Sequence, residues 1–401
     1  MIRSAALTFV LCLACCHVRS QHTAYTSAGD TLEYRYTPLQ PDAEAPRKRG
    51  FMQRLRDHVM NPAGEVSDDG RSDFSIVGGP SYSAETSLKF GVVGQLLYRT
   101  GRGDDMALQP SDVALSAGVS IIGFYRIALT GNTFFARDKH RLTYDAEITS
   151  QPTDFWGLGY DAALYNRMTD YTAKRCVVSV RYVYEMFANT YVGAYADFRH
   201  LEAVRLGDYA AQYLGSEGRN FNTAGVGLVL SYDSRDYTTN AYRGIYASVE
   251  HIVRPQALSN ISSTLWRTTV TLDLYRRLWR DCTLAVDLYG EFHSSSTPWL
   301  LRAQVGNDWR MRGYYMGRFN GDNFLFAQVE LRQRIWNRLG CVVWGGAGNV
   351  FSASDKFAWR KTLPNYGIGL RWEFRKRTNF RVDWGMGRKS NSFVLNINEA
   401  F

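Results

Sequence analysis

Apolar and polar residues alternate in short segments over most of the chain. In one such segment Val270, Leu272 and Leu274 lie on one face, while Asp273 and Tyr275 lie on the other. A period of two predicts β-strands whose two faces meet different environments. Charged residues recur on the polar face of neighbouring segments, more often than a buried core would accommodate. The alternation therefore favours strands that lie between lipid and a water-filled lumen.

The same pattern predicts about 16 strands, an even number that is typical of single-chain outer-membrane barrels. Short connections such as 136–139 and 376–378 alternate with long polar connections such as 153–172 and 294–321. We therefore predict an all-β fold: a transmembrane antiparallel β-barrel with long external loops and both termini in the periplasm. The predicted strands are 74–82, 87–99, 111–123, 124–135, 140–152, 173–186, 189–201, 221–233, 243–254, 263–278, 281–293, 322–335, 339–350, 365–375, 379–388 and 391–401.

Composition narrows the class of membrane protein. The 401 residues include 25 Tyr, 21 Phe, 10 Trp and 35 Gly, and the mean hydropathy is negative, which excludes a helical membrane protein. The one long apolar run, 5–16, follows Arg3 and precedes small residues, which predicts a secretory signal peptide over 1–20. The predicted domains are this signal peptide, a periplasmic N-terminal segment at 21–73 and the barrel at 74–401. A soluble exported protein remains the alternative.

The segment 21–73 is polar, with one amphipathic stretch at 46–59. There Phe51, Leu55 and Val59 share a helical face amid Arg and Lys residues, which is typical of a short basic helix on an anionic membrane surface. A solvated tail is the alternative. The formal net charge of +9 is spread along the chain, so it indicates solvated turns and a charged lumen rather than a nucleic-acid partner.

Cysteine usage and motif searches point away from catalysis and from cofactors. Three of the six cysteines lie in the predicted signal peptide, and the odd remainder contains no CxxC pair, which argues against a disulfide framework and a zinc site. No nucleophile elbow, HExxH or Walker motif is present. His140 and His293 with a nearby serine could imitate a barrel lipase, but nothing in their spacing requires it. We therefore predict a protein that is not an enzyme and binds no cofactor.

The central stretch Trp309–Trp336 combines a Gly- and Arg-rich loop with a strand. The loop contains Met311-Arg312-Gly313-Tyr314, and the following strand places Glu330 on its polar face. A second distinctive stretch, Ser231–Gly244, reads SYDSRDYTTNAYRG and precedes another strand. Its candidate signature residues are Tyr232, Asp233, Arg235 and Asp236.

These two stretches resemble the BamA/TamA-type bacterial surface-antigen barrels, which insert or translocate proteins at outer membranes. Met311–Tyr314 is similar to the family's (V/I/M)-R-G-(F/Y) loop, and Ser231–Gly244 is similar to its YDxRD turn. Phe155–Tyr160 (FWGLGY) and Asn396–Phe401 (NINEAF) look like the short members that carry no POTRA domains. The likeness covers 74–401.

The resemblance implies that the loop folds back into the lumen, where Arg312 meets acidic groups. Glu330 is the expected partner, because a guanidinium in a narrow lumen needs a bidentate carboxylate. The family usually supplies a second Asp on the next strand, but Gly346 stands at that position here. The second acidic contact is therefore either missing or supplied from elsewhere in the barrel, with Asp287 and Glu291 as the candidates. Gly313, within the loop signature, allows a tight turn.

The first predicted strand is weak, because Gly78, Gly79 and Pro80 remove side-chain packing and one backbone donor. It has to pair with the last strand, which the pattern extends to Phe401. Poor pairing would leave a seam that opens toward lipid, similar to the lateral gate proposed for the family. A bulge at the end of the barrel is the alternative.

The resemblance implies a Gram-negative outer-membrane protein that assists protein insertion or translocation. Its expected partners are outer-membrane lipids and, by the resemblance, client proteins or assembly-complex subunits. Two alternatives stay open at this point. One is a plugged or porin-like solute channel, and the other is a structural barrel subunit of a larger complex.

Overall fold

The computed structural model describes residues 72–83, 87–101, 111–135, 137–238, 240–375, 377–397 and 399–401. Within these ranges the chain forms a 16-stranded sheet in which each strand pairs antiparallel with its neighbour in the chain. The predicted all-β fold and strand number are confirmed. The predicted signal peptide and the amphipathic stretch at 46–59 lie outside the described residues.

Sixteen long strands form the main sheet of the described chain, and two short ones form a separate pair inside one connection. Two short helices and three 3-10 turns lie in the long connections, where the sequence pattern predicted none, because elements this short show no periodicity. The elements are β1 (Asp73–Ser83), β2 (Ser87–Tyr98), β3 (Ser111–Ser120), β4 (Tyr125–Phe135), β5 (His140–Phe155), α1 (Tyr160–Tyr165), β6 (Thr169–Phe187), β7 (Thr190–Val204), α2 (Asp208–Leu214), β8 (Asn220–Asp233), β9 (Gly244–Arg254), a 3-10 turn (Gln256–Leu258), β10 (Leu265–Trp279), β11 (Cys282–His293), a 3-10 turn (Trp299–Leu301), β12 (Ala303–Gln304), β13 (Asn320–Gly321), β14 (Asn323–Trp336), β15 (Leu339–Phe351), a 3-10 turn (Trp359–Lys361), β16 (Leu363–Arg375), β17 (Thr378–Gly387) and β18 (Ser390–Ile397).

The two faces of the sheet differ in the way that the alternation predicts. On β10 the side chain of Val270 is 38% exposed, whereas that of Asp273 is 4% exposed. On β7 Val192 and Phe198 are exposed and Asp197 is buried. An apolar outer face around a charged interior is the arrangement of a membrane barrel. No helix in the described part of the chain is long and apolar enough to cross a membrane.

Short turns join the strands at one end of the sheet, with the connection between β2 and β3 as the exception, and we call this the short-turn end. Several of these turns place a non-glycine residue at positive φ, including Asn189, Asp281 and Asn337. Asn and Asp tolerate this left-handed conformation because their side chains hydrogen-bond to the local backbone. The opposite end carries the longer connections that contain α1 and α2, and we call it the long-loop end.

The edges of the sheet are β1 and β18, which lie side by side. Between them no backbone ladder forms among the described residues, although β1 pairs with β2 in an unbroken register. The last strand ends at Ile397, so the prediction that it extends to Phe401 is wrong. The residues after it turn away from the sheet edge and into the interior.

Candidate functional site

The connection between β11 and β14, residues 294–322, folds back into the barrel, and we call it the lumen loop. Its two ends are joined by the pairing of β12 with β13. Its tip is attached to the barrel wall by side chains from several strands. The backbone carbonyl of Asp308 accepts a hydrogen bond from Arg381 on β17 at 2.6 Å. Asn396 on β18 donates to the Asp308 carboxylate at 3.3 Å.

Arg312 is the fully buried centre of the tip. Its Nη2 donates to Oε2 of Glu330 at 2.5 Å, and its Nη1 donates to Oδ2 of Asp383 at 2.7 Å. The guanidinium carbon lies 3.8 Å from the ring centre of Trp344. One planar cation thus joins carboxylates from β14 and β17, which a lysine ammonium cannot do with the same geometry.

The two carboxylates belong to a larger buried network, which we call the arginine cluster. Asp383 also contacts Arg371 at 2.5 Å and Arg381 at 2.8 Å. Seven charged residues form the cluster, with one more cation than anions. Its members are Arg312, Arg332, Arg371, Arg381, Glu330, Asp383 and Glu399.

Glycines let the loop backbone lie directly on β17. A Cβ atom added to Gly385 would stand 2.2 Å from the carbonyl oxygen of Arg312, and one added to Gly313 would stand 2.4 Å from the carbonyl carbon of Gly385. Gly313 has a φ of 109°. Gly313 thus has the left-handed backbone conformation expected of a tight turn. The close approach of the two backbones adds a second requirement for glycine, because it leaves no room for a side chain on either segment.

The neighbouring loop residues fill the space around Arg312. Tyr314 Oη donates to the carbonyl of Pro364 at 2.6 Å and accepts from the amide of Arg388 at 2.7 Å. Burial raises the pKa of Tyr314 to about 12, so the phenol stays protonated at neutral pH. Met311 is fully buried against Gly348 and Phe324.

The second acid of the site differs from both residues expected from the sequence. Asp287 accepts from Arg310, at 2.7 and 3.1 Å, and Glu291 accepts from His293 and Tyr289. The second carboxylate that accepts from Arg312 belongs instead to Asp383. A side chain at the family's usual position would not fit, because a Cβ on Gly346 would stand 2.5 Å from a β14 carbonyl oxygen.

The predicted signature turn between β8 and β9 is held by its own charged residues. Both oxygens of Asp233 accept from Arg235, at 2.9 and 3.0 Å, and the guanidinium of Arg235 lies 4.4 Å from the ring centre of Tyr246. Asp236 accepts from the backbone amide of Tyr242 at 2.9 Å. Tyr232, at the end of β8, points outward and is 38% exposed.

A charged contact joins this turn to a distant one at the same end of the barrel. Arg377, in the turn between β16 and β17, contacts Asp236 at 3.0 Å and donates to the backbone carbonyl of Asn240 at 2.9 Å. Its guanidinium lies 3.6 Å from the ring centre of Tyr242. The 234–243 turn therefore reaches over the short-turn end of the lumen.

Acidification should loosen this contact, because it depends on ionised Asp236. Burial raises the pKa of Asp236. The hydrogen bonds from the amides of Tyr242 and Arg243, together with the charge of Arg377, lower it by more, so the pKa lies below its ordinary value. A carboxyl with a lowered folded pKa contributes stability above its unfolded pKa of about 4, and this is lost as the pH falls through the folded pKa. Amide hydrogen exchange over 234–243 should therefore accelerate, relative to the strands, below about pH 4. In the Asp236→Asn variant the amides of this turn should exchange faster already at neutral pH, with no further acceleration on acidification. If the variant keeps the native response to acid, Asp236 is not the group that holds the turn.

The long-loop end is covered by an apolar group that includes α1 and the lumen loop. The ring of Tyr160 lies 5.7 Å from that of Phe319, and Lys361 joins Asp161 at 2.7 Å to Asp355 at 2.5 Å. Tyr160 is the last residue of the FWGLGY stretch, so this packing places that stretch beside the lumen loop. The buried members are Tyr160, Ala163, Ala303, Val305, Met311, Tyr314, Phe319, Phe324, Phe326, Val350 and Leu363.

The predicted seam residues separate into two groups. Gly78, Gly79 and Pro80 lie in β1 at the edge of the sheet. Phe401 does not lie at this edge, because its ring contacts Tyr275 at a centroid distance of 6.1 Å, inside the barrel. The alternation that extended the last strand to Phe401 in the sequence does not apply here, because the strand ends at Ile397.

The proposed histidine pair does not assemble. His140 follows a short turn and hydrogen-bonds Tyr182, whereas His293 stands at the start of the lumen loop and pairs with Glu291. The two histidines thus lie at opposite ends of the barrel. In the part of the chain that the structure describes, no group of three or more His, Cys, Asp or Glu residues is arranged to hold a metal ion.

An antiparallel barrel with an apolar outer face, filled by an inward loop whose arginine joins two wall carboxylates, defines an outer-membrane β-barrel of the loop-filled class. The chain belongs to the Omp85 superfamily, whose domain model matches residues 124–401. This confirms the resemblance drawn from the loop and turn motifs. A comparison with curated proteins finds no similar sequence.

The fold is also similar to that of solved outer-membrane barrels. BamA from Haemophilus ducreyi lacking POTRA domains 1–3 has a TM-score of 0.54 at 12% identity, over 82% of this chain and 70% of that one. CdiB from Acinetobacter baumannii has a TM-score of 0.52 at 13% identity, over 82% and 59%. CdiB from Escherichia coli has a TM-score of 0.56 at 11% identity, over 83% and 64%. The chain therefore spans between 59% and 70% of the length of these structures, and the likeness concerns the fold.

Proposed function

We propose that this chain assists the insertion of proteins into the outer membrane or their translocation across it. The observation that carries the proposal is the seam: β1 and β18 lie side by side, yet the described residues form no backbone ladder between them. Every other neighbouring pair of long strands is joined by a ladder. Membership of the Omp85 superfamily supports the same role.

An unpaired edge within a membrane has a direct chemical use. Backbone amides and carbonyls that face hydrocarbon without partners cost several kcal/mol each, so the edges favour any strand that satisfies them. An extended segment of a client protein can add to such an edge by the ordinary hydrogen bonds of a sheet. Gly78 and Gly79 reduce the side-chain packing of β1 at this edge.

The lumen loop has a second part in the proposal. Arg312 holds its tip to β14 and β17, and β17 is the neighbour of the seam strand β18. The loop thereby connects β17, which lies beside the seam strand, to β14, three strands further along the sheet. We propose that this connection sets the shape of the seam and keeps the lumen closed to solutes.

The orientation in the membrane is part of the same proposal. We place the short-turn end in the periplasm with both termini, and the long-loop end outside, because short periplasmic turns and long external loops are usual in outer-membrane barrels. The partners would then be outer-membrane lipids and client proteins or assembly-complex subunits. Deletion followed by outer-membrane proteomics tests the role. Loss of a defined set of barrel or secreted proteins is expected, and an unchanged proteome would contradict the role.

Arg312→Lys should lose most of this activity although it keeps the charge. An ammonium cannot donate to Glu330 and Asp383 in a fork while stacking on Trp344. The measurement is complementation of the deletion strain, with heat-modifiable migration on gels to report folding. Arg360→Lys, an exposed arginine in a long loop, is the matched control. Full complementation by the Arg312 variant would show that the fork is not needed.

A solute channel is the second candidate function. The lumen loop fills the interior of the barrel, which argues against an open pore. Met311, Tyr314 and Phe319 are fully buried where a pore would need water. Planar-bilayer recordings should therefore give a low conductance for the native protein. A steady large conductance would favour a porin-like role. The structural-subunit alternative predicts a stoichiometric partner that copurifies in mild detergent.

A further inference from the structure

The last three residues occupy the interior of the barrel at the short-turn end. Glu399 and Ala400 are 4% and 3% exposed, and they follow a strand that ends at Ile397. They are attached by side-chain contacts and not by a ladder of the sheet. They can therefore leave the interior without breaking β18.

The Glu399 carboxylate has a built receptor. Its Oε2 accepts from Nε of Arg371 at 2.8 Å, and its Oε1 accepts from Nδ2 of Asn379 at 2.6 Å. Nε of Arg332 stands 3.9 Å from Oε2. Two cations and one amide thus converge on one carboxylate, from strands β14, β16 and β17.

An aromatic subsite lies beside this receptor. The guanidinium of Arg332 lies 4.9 Å from the ring centre of Phe401, and Nη2 of the same arginine donates to the Phe401 backbone carbonyl at 2.9 Å. The ring of Tyr275 lies 6.1 Å from that of Phe401 on another side. The site thus recognises a carboxylate and, two residues later, an aromatic ring with its backbone carbonyl.

The receptor also has donors in excess. Nη1 of Arg332 and Nη2 of Arg371 are buried without a hydrogen-bond acceptor in the described structure. Both arginines line a cavity at the short-turn end, together with Tyr242 of the signature turn. The charged residues of the cavity are five arginines and three acids: Arg277, Arg332, Arg334, Arg338, Arg371, Asp281, Glu373 and Glu399. The tail carboxylate shares the two receptor arginines with acids of the barrel wall, because Glu330 contacts Arg332 at 2.9 Å and Asp383 contacts Arg371 at 2.5 Å.

We propose that this receptor is a binding site for an acidic-aromatic peptide segment, and that residues 399–401 occupy it as an internal competitor. The ligand class is a Glu or Asp side chain followed two residues later by an aromatic one. Its use by client segments rests on the proposed function, whereas the site itself does not.

The test measures binding of a fluorescein-labelled, C-terminally amidated hexapeptide, Asn-Ile-Asn-Glu-Ala-Phe, to the full chain purified in detergent micelles. The combined variant Glu399→Gln and Phe401→Ala empties the receptor and should bind the peptide about tenfold or more tightly than the native protein, whose own tail competes. A peptide with Gln in place of Glu should bind that variant about tenfold or more weakly. Heat-modifiable migration shows that each variant is folded.

A receptor variant completes the design. Asn379→Ala, added to the emptied protein, should weaken binding, because the Asn379 side chain donates to the carboxylate that the peptide supplies. Asn391→Ala, an exposed asparagine at the other end of the β17–β18 hairpin, should leave the affinity unchanged. Equal binding of the Glu and Gln peptides, or no gain on emptying the receptor, overturns the proposal. Because no client or cell is involved, such a result would leave the complementation test of Arg312 untouched.

Discussion

Replacing Asp383 with alanine should destabilise the barrel by about 3–5 kcal/mol, more than the replacement of Arg312 itself. Asp383 is fully buried and contacts three arginines, Arg312 at 2.7 Å, Arg371 at 2.5 Å and Arg381 at 2.8 Å. Its removal leaves four arginines of the cluster facing two carboxylates. Buried cations without an acceptor carry a desolvation cost that no remaining contact offsets.

The loss of Arg312 has the opposite effect on the charge balance. The native cluster has one cation in excess, so Arg312→Ala leaves three arginines and three carboxylates. Glu330 keeps Arg332 at 2.9 Å, and Asp383 keeps Arg371 and Arg381. The variant should lose the attachment of the loop with a smaller loss in folding free energy.

Urea unfolding in detergent, followed by tryptophan fluorescence, gives both free energies and the double-mutant coupling. Glu217→Ala, at an exposed position in a long loop, is the control and should change stability by less than about 0.5 kcal/mol. If Arg312→Ala proves at least as destabilising as Asp383→Ala, charge balance does not govern the cluster. The loss of stability in a neutral Asp383→Asn variant should lie between those of Arg312→Ala and Asp383→Ala, because the amide keeps a hydrogen-bond acceptor.

The sequence allows the strands and one half of the site to be predicted, since both depend on local patterns. Alternation fixes which side chains face inward, and it places Glu330 in the lumen correctly. The partner Asp383 lies 71 residues from Arg312 along the chain, and its contact depends on where the inward loop meets β17. Parity marks many acids as inward and does not say which of them an inward loop reaches.

The end of the sequence shows a second limit of parity. Phe393 and Phe401 share a parity, and Phe393 is exposed on the outer face as predicted. Beyond the strand, Glu399 pairs with Arg371 and the ring of Phe401 contacts Tyr275, so this part of the chain faces the interior instead of lipid. The family Asp was a third case, because Gly346 excludes any side chain by its distance to β14. In each case a contact with another part of the chain, which the alternation along one strand does not encode, decided the outcome.

The strongest test of the loop's position adds one methyl group. In Gly385→Ala the new Cβ would stand 2.2 Å from the Arg312 carbonyl oxygen and 2.7 Å from the Gly313 amide nitrogen. Both are backbone atoms, and β17 is paired on each side with β16 and β18, so the strand cannot retreat. The loop has to move instead. Overpacking of this kind costs about 1–3 kcal/mol, and displacement of the tip adds the loss of the Arg312 fork.

Release of the loop should be visible without unfolding the barrel. Trypsin should cleave after Arg310, Arg312 or Arg318, and planar-bilayer conductance should rise, because the lumen loses its filling. Gly345→Ala is the matched control, since a Cβ there meets nothing within 4 Å on the same sheet. A Gly385 variant with a protected loop and native conductance would mean that the tip does not lie on β17. Asp383→Ala and Gly385→Ala then separate two contributions: the first removes a charge with the loop still in contact, and the second removes the contact with every charge still present.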